Sequence, residues 1–359
     1  MPYVWQMTNI TNKKIYFAPD NILYLIKQKS EGQKMTDILK LLLKTPTASG
    51  SEQQIGEVLS RYLETECGCD VAVDGLGNVI AAKRYKGSSR GKNSVTASGV
   101  PLKAALVCPI DAPGLIVTHI EKGGLIKAAS LGKCDFRSAC YGVVRAGKHY
   151  GIITPDSDKS DSIDSCHVDF GFTDDDNACK YIHQGDTLYF DSENAELQNG
   201  AVCGVGVGAK FCAAALCKTA KNIVPAKGKE FYFIFTTQSL LGLRGSYPAS
   251  FGVSPDVAVC VEPYEGEKIA VKILDRSLVC DTCVTERLRS AAAQTGIDIS
   301  LEVRSDDVSD ASGVQRAGAG VKTGVLMLPV RNYNSTKQIS CKNYSEQISA
   351  ITEKFLNNI

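Results

Sequence analysis

Four histidines, fourteen cysteines and one glycine-rich stretch are where chemistry is first sought in this 359-residue chain. No two of His119, His149, His167 and His183 stand at the spacing of a metal-binding pair, and His119, in the apolar-flanked string VTHIE, suits a structural role. Cys280 and Cys283 form a CxxC without the second pair of a zinc ribbon or the strand-to-helix setting of a redox motif, and Cys67 with Cys69 is less informative still. Both pairs read as buried or incidental thiols. Cys108 ends an apolar run, where an α/β sheet opens its ligand crevice. A thiol nucleophile there needs a base, and no histidine lies in the segments expected to line that crevice. The glycines of GAVCGVGVGAK loosely resemble a phosphate loop, but the string lacks the GKS or GKT ending and fits neither spaced template.

Composition limits what the positioning elements are. The length suits about two domains of roughly 100 to 200 residues. A formal charge of +1 with 44% hydrophobic and 22% charged residues gives no electrostatic reason to expect nucleic acid or an anionic membrane as partner. The cysteine share is far below the roughly 8 to 10% of a disulfide scaffold. The thiols therefore read as reduced, and cytoplasm is the expected location, where the sequons at Asn9, Asn334 and Asn343 carry no meaning. No segment approaches the roughly 18 apolar residues of a membrane span, and no leader pattern opens the chain.

Residues 1 to 34 read as an N-terminal extension, either not native or disordered. Met35 is an alternative start, because Glu31-Gly32 upstream is compatible with a purine-rich ribosome-binding sequence. From MTDILKLLLK onward the pattern is regular. Ile55, Val58, Leu59, Tyr62 and Leu63 share one helical face, and Ser51 with Gln54 forms a capping-box signature. DVAVDGLGNVIAAKR reads as a hairpin. KAALVC, FYFIFTT, VAVCV and 324–328 are continuous apolar runs suited to central strands. Helical patterns cover roughly 201–220, 284–295 and 345–357. The alternation predicts an α/β three-layer domain. GLIVTHI, YGVVRA, YGIIT and DTLYF break that rhythm and predict a small all-β insert at 114–193, leaving 35–113 with 194–359 as the α/β body.

The segments VDGLGNVIAAK, ALVCPIDAPGLIVTHIEKGG, VDFGF, GDTLYF, FIFTTQSLLGLRGS, PDVAVCVE and SDASGVQRAGAGVKTGVLMLPVRNYNS run in the order of the tetrahedral-aminopeptidase family. Those dinuclear metallopeptidases are also called glutamyl aminopeptidases or cellulase M, and the resemblance covers about residues 35 to 359. It implies a three-layer α/β/α, phosphorylase/hydrolase-like metallopeptidase domain with a β-barrel-like insert used for oligomerisation. It also implies two metal ions about 3.5 to 4 Å apart and a glutamate base. Carried over, the family's first ligand histidine falls on Pro109 and the aspartate that orients it on Asp111. The bridging aspartate falls on Gln198, the general base on Ser239 and the adjacent ligand on Leu240. Glu262 stands at an aspartate ligand position, and the C-terminal histidine falls on Asn334. The same resemblance makes the glycine-rich stretch the start of a helix over the site.

Every implied ligand position but Glu262 is thus substituted, and the base is missing, while Gln238, Gly242, Leu243, Arg244, Gly245, Asp310, Pro329 and Arg331 are kept. The leading expectation is a degenerate aminopeptidase-like pseudoenzyme with a binding or assembly role and no dinuclear metal pair. Its partners would be copies of itself or an active paralogue in a mixed oligomer. One alternative is a hydrolase with an altered or single-metal site, in which Asp111, Gln198, Glu262 and Asn334 offer oxygens to one hard divalent cation. Another is a binding protein for a small molecule, amino acid or peptide, with Arg331 and Arg244 facing an acidic group in the old cleft.

Overall fold

β-Branched and aromatic runs that are apolar at every position must be covered on both faces, and the sheet at the centre of the structure shows how. The computed structural model describes residues 37–85, 100–191 and 194–359, so the reading of 1–34 as an extension, and Met35 as a start, lie outside the described residues. In chain order the strands are β1 (Asp70–Val73), β2 (Val79–Arg84), β3 (Leu102–Pro109), β4 (Gly114–Ile120), β5 (Ile126–Leu131), β6 (Val143–Ala146), β7 (His149–Pro155), β8 (Cys166–Asp169), β9 (Thr187–Phe190), β10 (Ala195–Glu196), β11 (Ala201–Gly204), β12 (Lys229–Thr236), β13 (Val257–Glu265), β14 (Ala270–Asp275), β15 (Ser300–Arg304), β16 (Lys322–Val330) and β17 (Gln338–Cys341).

Eight of these form one mixed sheet in the order β1-β2-β12-β3-β13-β16-β14-β15, with β12, β3, β13 and β16 parallel at its centre. Along β12, Phe231, Phe233 and Phe235 pack into the core on one face, while Tyr232 and Ile234 pack on the other. The helices Gln53–Thr65, Val207–Asn222, Thr282–Thr295 and Lys342–Asn357 cover the first face, and Ser246–Val253 with Ala311–Gln315 cover the second. This is the expected α/β/α layering. The 53–65 helix buries Ile55, Val58, Leu59, Tyr62 and Leu63 as its periodicity requires.

Strands β4 to β9 leave this sheet and close a barrel in the order β4-β5-β8-β7-β6-β9 around Leu115, Val117, Ile126, Val144, Ile153, Val168 and Leu188. All fourteen cysteines are free. Among the described residues, no helix is long and apolar enough to cross a membrane.

Two local expectations are corrected. The helix expected from 201 begins at Val207, because 201–204 pairs as β11 between β10 and β17. Ser51 and Gln54 make no capping box: Glu52 is the N-cap without a side-chain cap bond, and the Ser51 hydroxyl is 2.7 Å from that of Thr187 on β9. The Glu52 carboxylate instead accepts from the Gly50 and Gln238 backbone N–H groups at 2.9 and 2.8 Å.

Candidate functional site

The carboxyl ends of the parallel strands bring several of the singled-out residues to one cleft, as open α/β sheets do. Pro109 closes β3 opposite Thr236 on β12, and Asp111 follows two residues later. Asp111 Oδ2 accepts from the Ser49 hydroxyl at 2.7 Å and from the Leu240 N–H at 2.9 Å, and its buried Oδ1 has no partner. Burial pushes this carboxyl up to about 7, against the two hydrogen bonds that lower it. Ser239 donates to Asp310 Oδ2 at 2.6 Å, and Thr236 donates to the same oxygen at 2.7 Å. Burial raises Asp310 too, and its Oδ1 is buried without a partner. The position to which the resemblance carries a general base thus holds a hydroxyl that is itself a donor to a buried acid.

Glu262, on β13, is 8% exposed, and burial pushes its carboxyl up to about 8. Its Oε2 lies 3.9 Å from the Nζ of Lys272 and its Oε1 has no partner. Lys272, on β14, is 1% exposed and also meets Asp275 at 3.0 Å and Asp307 at 3.3 Å. Burial works against its charge, but Glu262, Asp307 and Asp275 together outweigh it and hold the ammonium above its ordinary value. Neither Lys272 nor Tyr333 was singled out by the sequence. Burial raises the Tyr333 phenol, and Glu262, Asp307 and Asp111 raise it further, so this ring lies within electrostatic reach of both cleft carboxyls. A lysine inside an apolar strand was the one available signal for Lys272.

The loop 238–244 crosses this cleft in strained backbone: Gln238 and Leu243 have φ of 54° and 58°. Glu52 on the Gln238 N–H and Asp111 on the Leu240 N–H hold it there. The Leu240 side chain lies over Gly132, where a Cβ would sit 2.7 Å from Leu240 Cβ. Barrel and sheet domain thus meet in an apolar contact at an implied ligand position.

The other singled-out positions go elsewhere. Gln198 is exposed on the 3-10 turn Gln198–Gly200, and the backbone packed against the neighbour of Asp111 is Gly206, whose added Cβ would meet Ala112 Cβ at 2.6 Å. Asn334 is exposed, and its carbonyl accepts from the Asp135 N–H at 2.7 Å, anchoring the 133–138 loop. Neither side chain hydrogen-bonds to Asp111 or Glu262. Arg331 lines a separate pocket of about 260 Å³ with Pro329 and Tyr344, and Arg244 is exposed with its Nε donating to the Leu241 carbonyl at 3.1 Å. Arg244 does not line the Arg331 pocket.

Among the described residues, no group of three or more His, Cys, Asp and Glu side chains converges to hold a metal ion. The dinuclear pair implied by the resemblance does not fit these residues: Pro109 and Leu240 carry no side-chain donor, and Gln198 and Asn334 are neutral amides that supply no charge to hold two cations. Three of the four histidines meet a neighbouring side chain, while His119, read from the sequence as structural, is exposed on β4. His167 Nδ1 is 3.0 Å from Asp156, His183 Nδ1 is 3.5 Å from Asp186, and His149 packs on Tyr181 with ring centroids 4.9 Å apart. Cys108 is fully buried and burial holds its thiol well up, so it is no nucleophile. Cys67, Cys69 and Cys280 are buried thiols raised in the same way, to about 12, 11 and 12.

Comparison with known proteins agrees with this scaffold. The chain is 27% identical over 329 residues, 85% of its length and 93% of the other's, to a predicted aminopeptidase of Acetivibrio thermocellus. Its fold matches an aminopeptidase of the archaeon Desulfurococcus kamchatkensis with a TM-score of 0.80, at 23% identity, over 90% of this chain and 94% of that one. It also matches a Pyrococcus horikoshii TET1 peptidase that can assemble into a tetrahedron or a large octahedral shell, with a TM-score of 0.76 at 22% identity, over 88% and 97% of the two chains. The family model for M42 glutamyl aminopeptidase matches residues 91–349. On this match, and with the three-layer body and its barrel already in place, the chain belongs to the M42 glutamyl aminopeptidase family.

Proposed function

We propose that this member of the family has given up the dinuclear metal chemistry and acts by binding or assembly. One observation carries the reading: the two carboxyls left in the cleft, Asp111 and Glu262, are held by the protein's own hydroxyl, amide and ammonium groups, and burial favours their protonated forms near neutral pH. A metal ligand must be ionised. The substitutions at Pro109, Ser239 and Leu240 remove the remaining donors and the base. Purified protein incubated with Co²⁺, Zn²⁺ or Mn²⁺ is expected to retain far less than one tightly held ion per chain and to leave aminoacyl chromogenic substrates unhydrolysed. Mass-spectrometric metal analysis alongside the assay checks this; about two ions per chain, or turnover above a blank, ends the reading.

A single-metal hydrolase is the second reading, favoured by the unpartnered buried oxygens of Asp111, Asp310 and Glu262. If activity with Mg²⁺ or Ca²⁺ is found, Glu262→Ala and Asp111→Ala should abolish it.

Assembly has its own support. The P. horikoshii relative can form closed shells, and here Val143 and Ile152, paired across β6 and β7, are 39% and 47% exposed beside Tyr141 and Tyr150. Such an apolar patch on a barrel wall is what an interface between copies would cover. Ile152→Asp is expected to lower the molar mass measured by light scattering toward that of one chain. An unchanged mass, or a wild type that is already monomeric, removes the barrel face from this role. The same face would serve a mixed oligomer with an active paralogue, and the expected location is the cytoplasm.

A further inference from the structure

A second cavity, lined by none of Asp111, Ser239, Leu240, Glu262 or Tyr333, lies between the chain at 43–47, the barrel wall and the start of the 207–222 helix. Its volume is about 670 Å³, within the range of small-molecule sites. Leu43, Phe190, Val202 and Val205 supply an apolar wall, and Lys40, Lys44, Arg145 and Lys210 supply cations.

Lys210 is the unusual member. Its side chain is 5% exposed, and burial pulls its ammonium down to about 8. Among the described residues no carboxylate lies within ion-pair distance of it. Its hydrogen bond to the Leu43 carbonyl is long, at 3.5 Å, and that carbonyl already accepts from Asn194 Nδ2 at 2.7 Å. Gly204 makes this arrangement possible, since a Cβ there would fall 2.0 Å from Asn194 Oδ1. The ammonium is thus desolvated and left with donors to spare, which costs free energy unless something else takes them.

Among the described residues, two acids line the cavity against four cations. Glu196 is engaged by Lys342 at 2.9 Å, and Asp191 is exposed. Lys40 pairs with Asp37 at 3.5 Å, whereas Lys44 and Arg145 make no ion pair among the described residues.

We propose that this cavity binds a small organic oxyanion, its phosphate or carboxylate held by Lys210 and Arg145 and its apolar part against Phe190, Val202 and Val205. The ammonium donates to the anion's oxygens, and the guanidinium closes the outer side. This site is independent of whether the cleft at Asp111 and Glu262 retains any chemistry.

Phenyl phosphate and benzoate share a ring and differ in the oxyanion, so titrating each into the full chain by calorimetry, at fixed ionic strength with chloride as control, distinguishes the two chemistries. At least one is expected to bind, and Lys210→Met and Arg145→Gln should each weaken it by about 10- to 100-fold, the worth of a charge-assisted hydrogen bond. Arg145→Gln, on the barrel wall, keeps the test decisive if Lys210→Met fails to fold. Absence of binding by both probes, or binding that both variants leave intact, overturns the proposal.

Discussion

Lys272→Met is expected to destabilise the protein by about 3–5 kcal/mol, the usual cost of removing one partner from a buried ionic group. The ammonium is buried on β14 and bridges Asp275 at 3.0 Å, Asp307 at 3.3 Å and Glu262 at 3.9 Å. Methionine fills the volume of the lysine stem, so packing changes little, and the loss reports the carboxylates left behind. Asp275 retains donors from Ser277 and Ser309 at 2.6 and 2.8 Å, which keeps the loss from exceeding that range. Asp307 has no such replacement for the charge, whereas Glu262 is already neutral at this pH. Urea unfolding at neutral pH measures the effect, and Lys272→Met in an Asp307→Asn background should cost less, because one stranded charge is gone. A Lys272→Met midpoint within about 0.5 kcal/mol of wild type, the range of an ordinary surface change, would mean that the lysine does not neutralise this cluster.

That cluster was invisible in the sequence for a physical reason. Periodicity reports which face of an element is buried, so the central strands, the 53–65 helix and the barrel segments GLIVTHI, YGVVRA, YGIIT and DTLYF were legible, and the strand-to-helix alternation carried the layering. Lys272 sits at an inward position of a short strand with Asp275 three residues on, a spacing that on a helix would be a surface pair and on β14 is a buried one. Strands β14 and β15 were not anticipated because their polar residues interrupt the apolar run. At the cleft, the order of motifs puts Pro109 and Asp111 at and just beyond the end of β3, Ser239 and Leu240 just beyond β12, and Glu262 within β13. Gln198 and Asn334 lie on exposed turns, where no pleat or helical turn fixes the register of a motif. The missed capping residue has the same origin: Ser51 spends its hydroxyl across the fold on Thr187, a contact with no local signature.

Wild-type stability, measured in chelator, is expected to fall as pH rises from about 4 to about 8, and the double variant Asp111→Asn/Glu262→Gln should lose most of that slope. Asp111 faces Ser49, the Leu240 N–H, Glu52 and Asp310, while Glu262 faces Lys272, Asp310, Asp307 and Asp275. Burial raises the two carboxyls to about 7 and about 8 in the folded chain, whereas in the unfolded chain they titrate near 4. Below about pH 4 both states are protonated and the stabilisation is fully present. Between there and the folded values only the unfolded state releases its protons, so stability drops by up to about 1.4 kcal/mol per pH unit for each group, on the order of 4 kcal/mol apiece, and levels off above about 8. Asp275, held below its ordinary value by Ser277, Lys272 and Ser309 against the opposing effect of burial, contributes the opposite slope, but only below the ordinary carboxylate range. The amide variants are neutral in both states, and in Glu262→Gln the Lys272 ammonium keeps Asp275 and Asp307. They should therefore be more stable than wild type above about pH 8 and nearly equal to it near pH 4. Parallel curves for wild type and double variant across this window would show that Asp111 and Glu262 are ionised in the folded protein. That result would restore the charge a metal site requires and turn the functional reading toward the single-metal hydrolase.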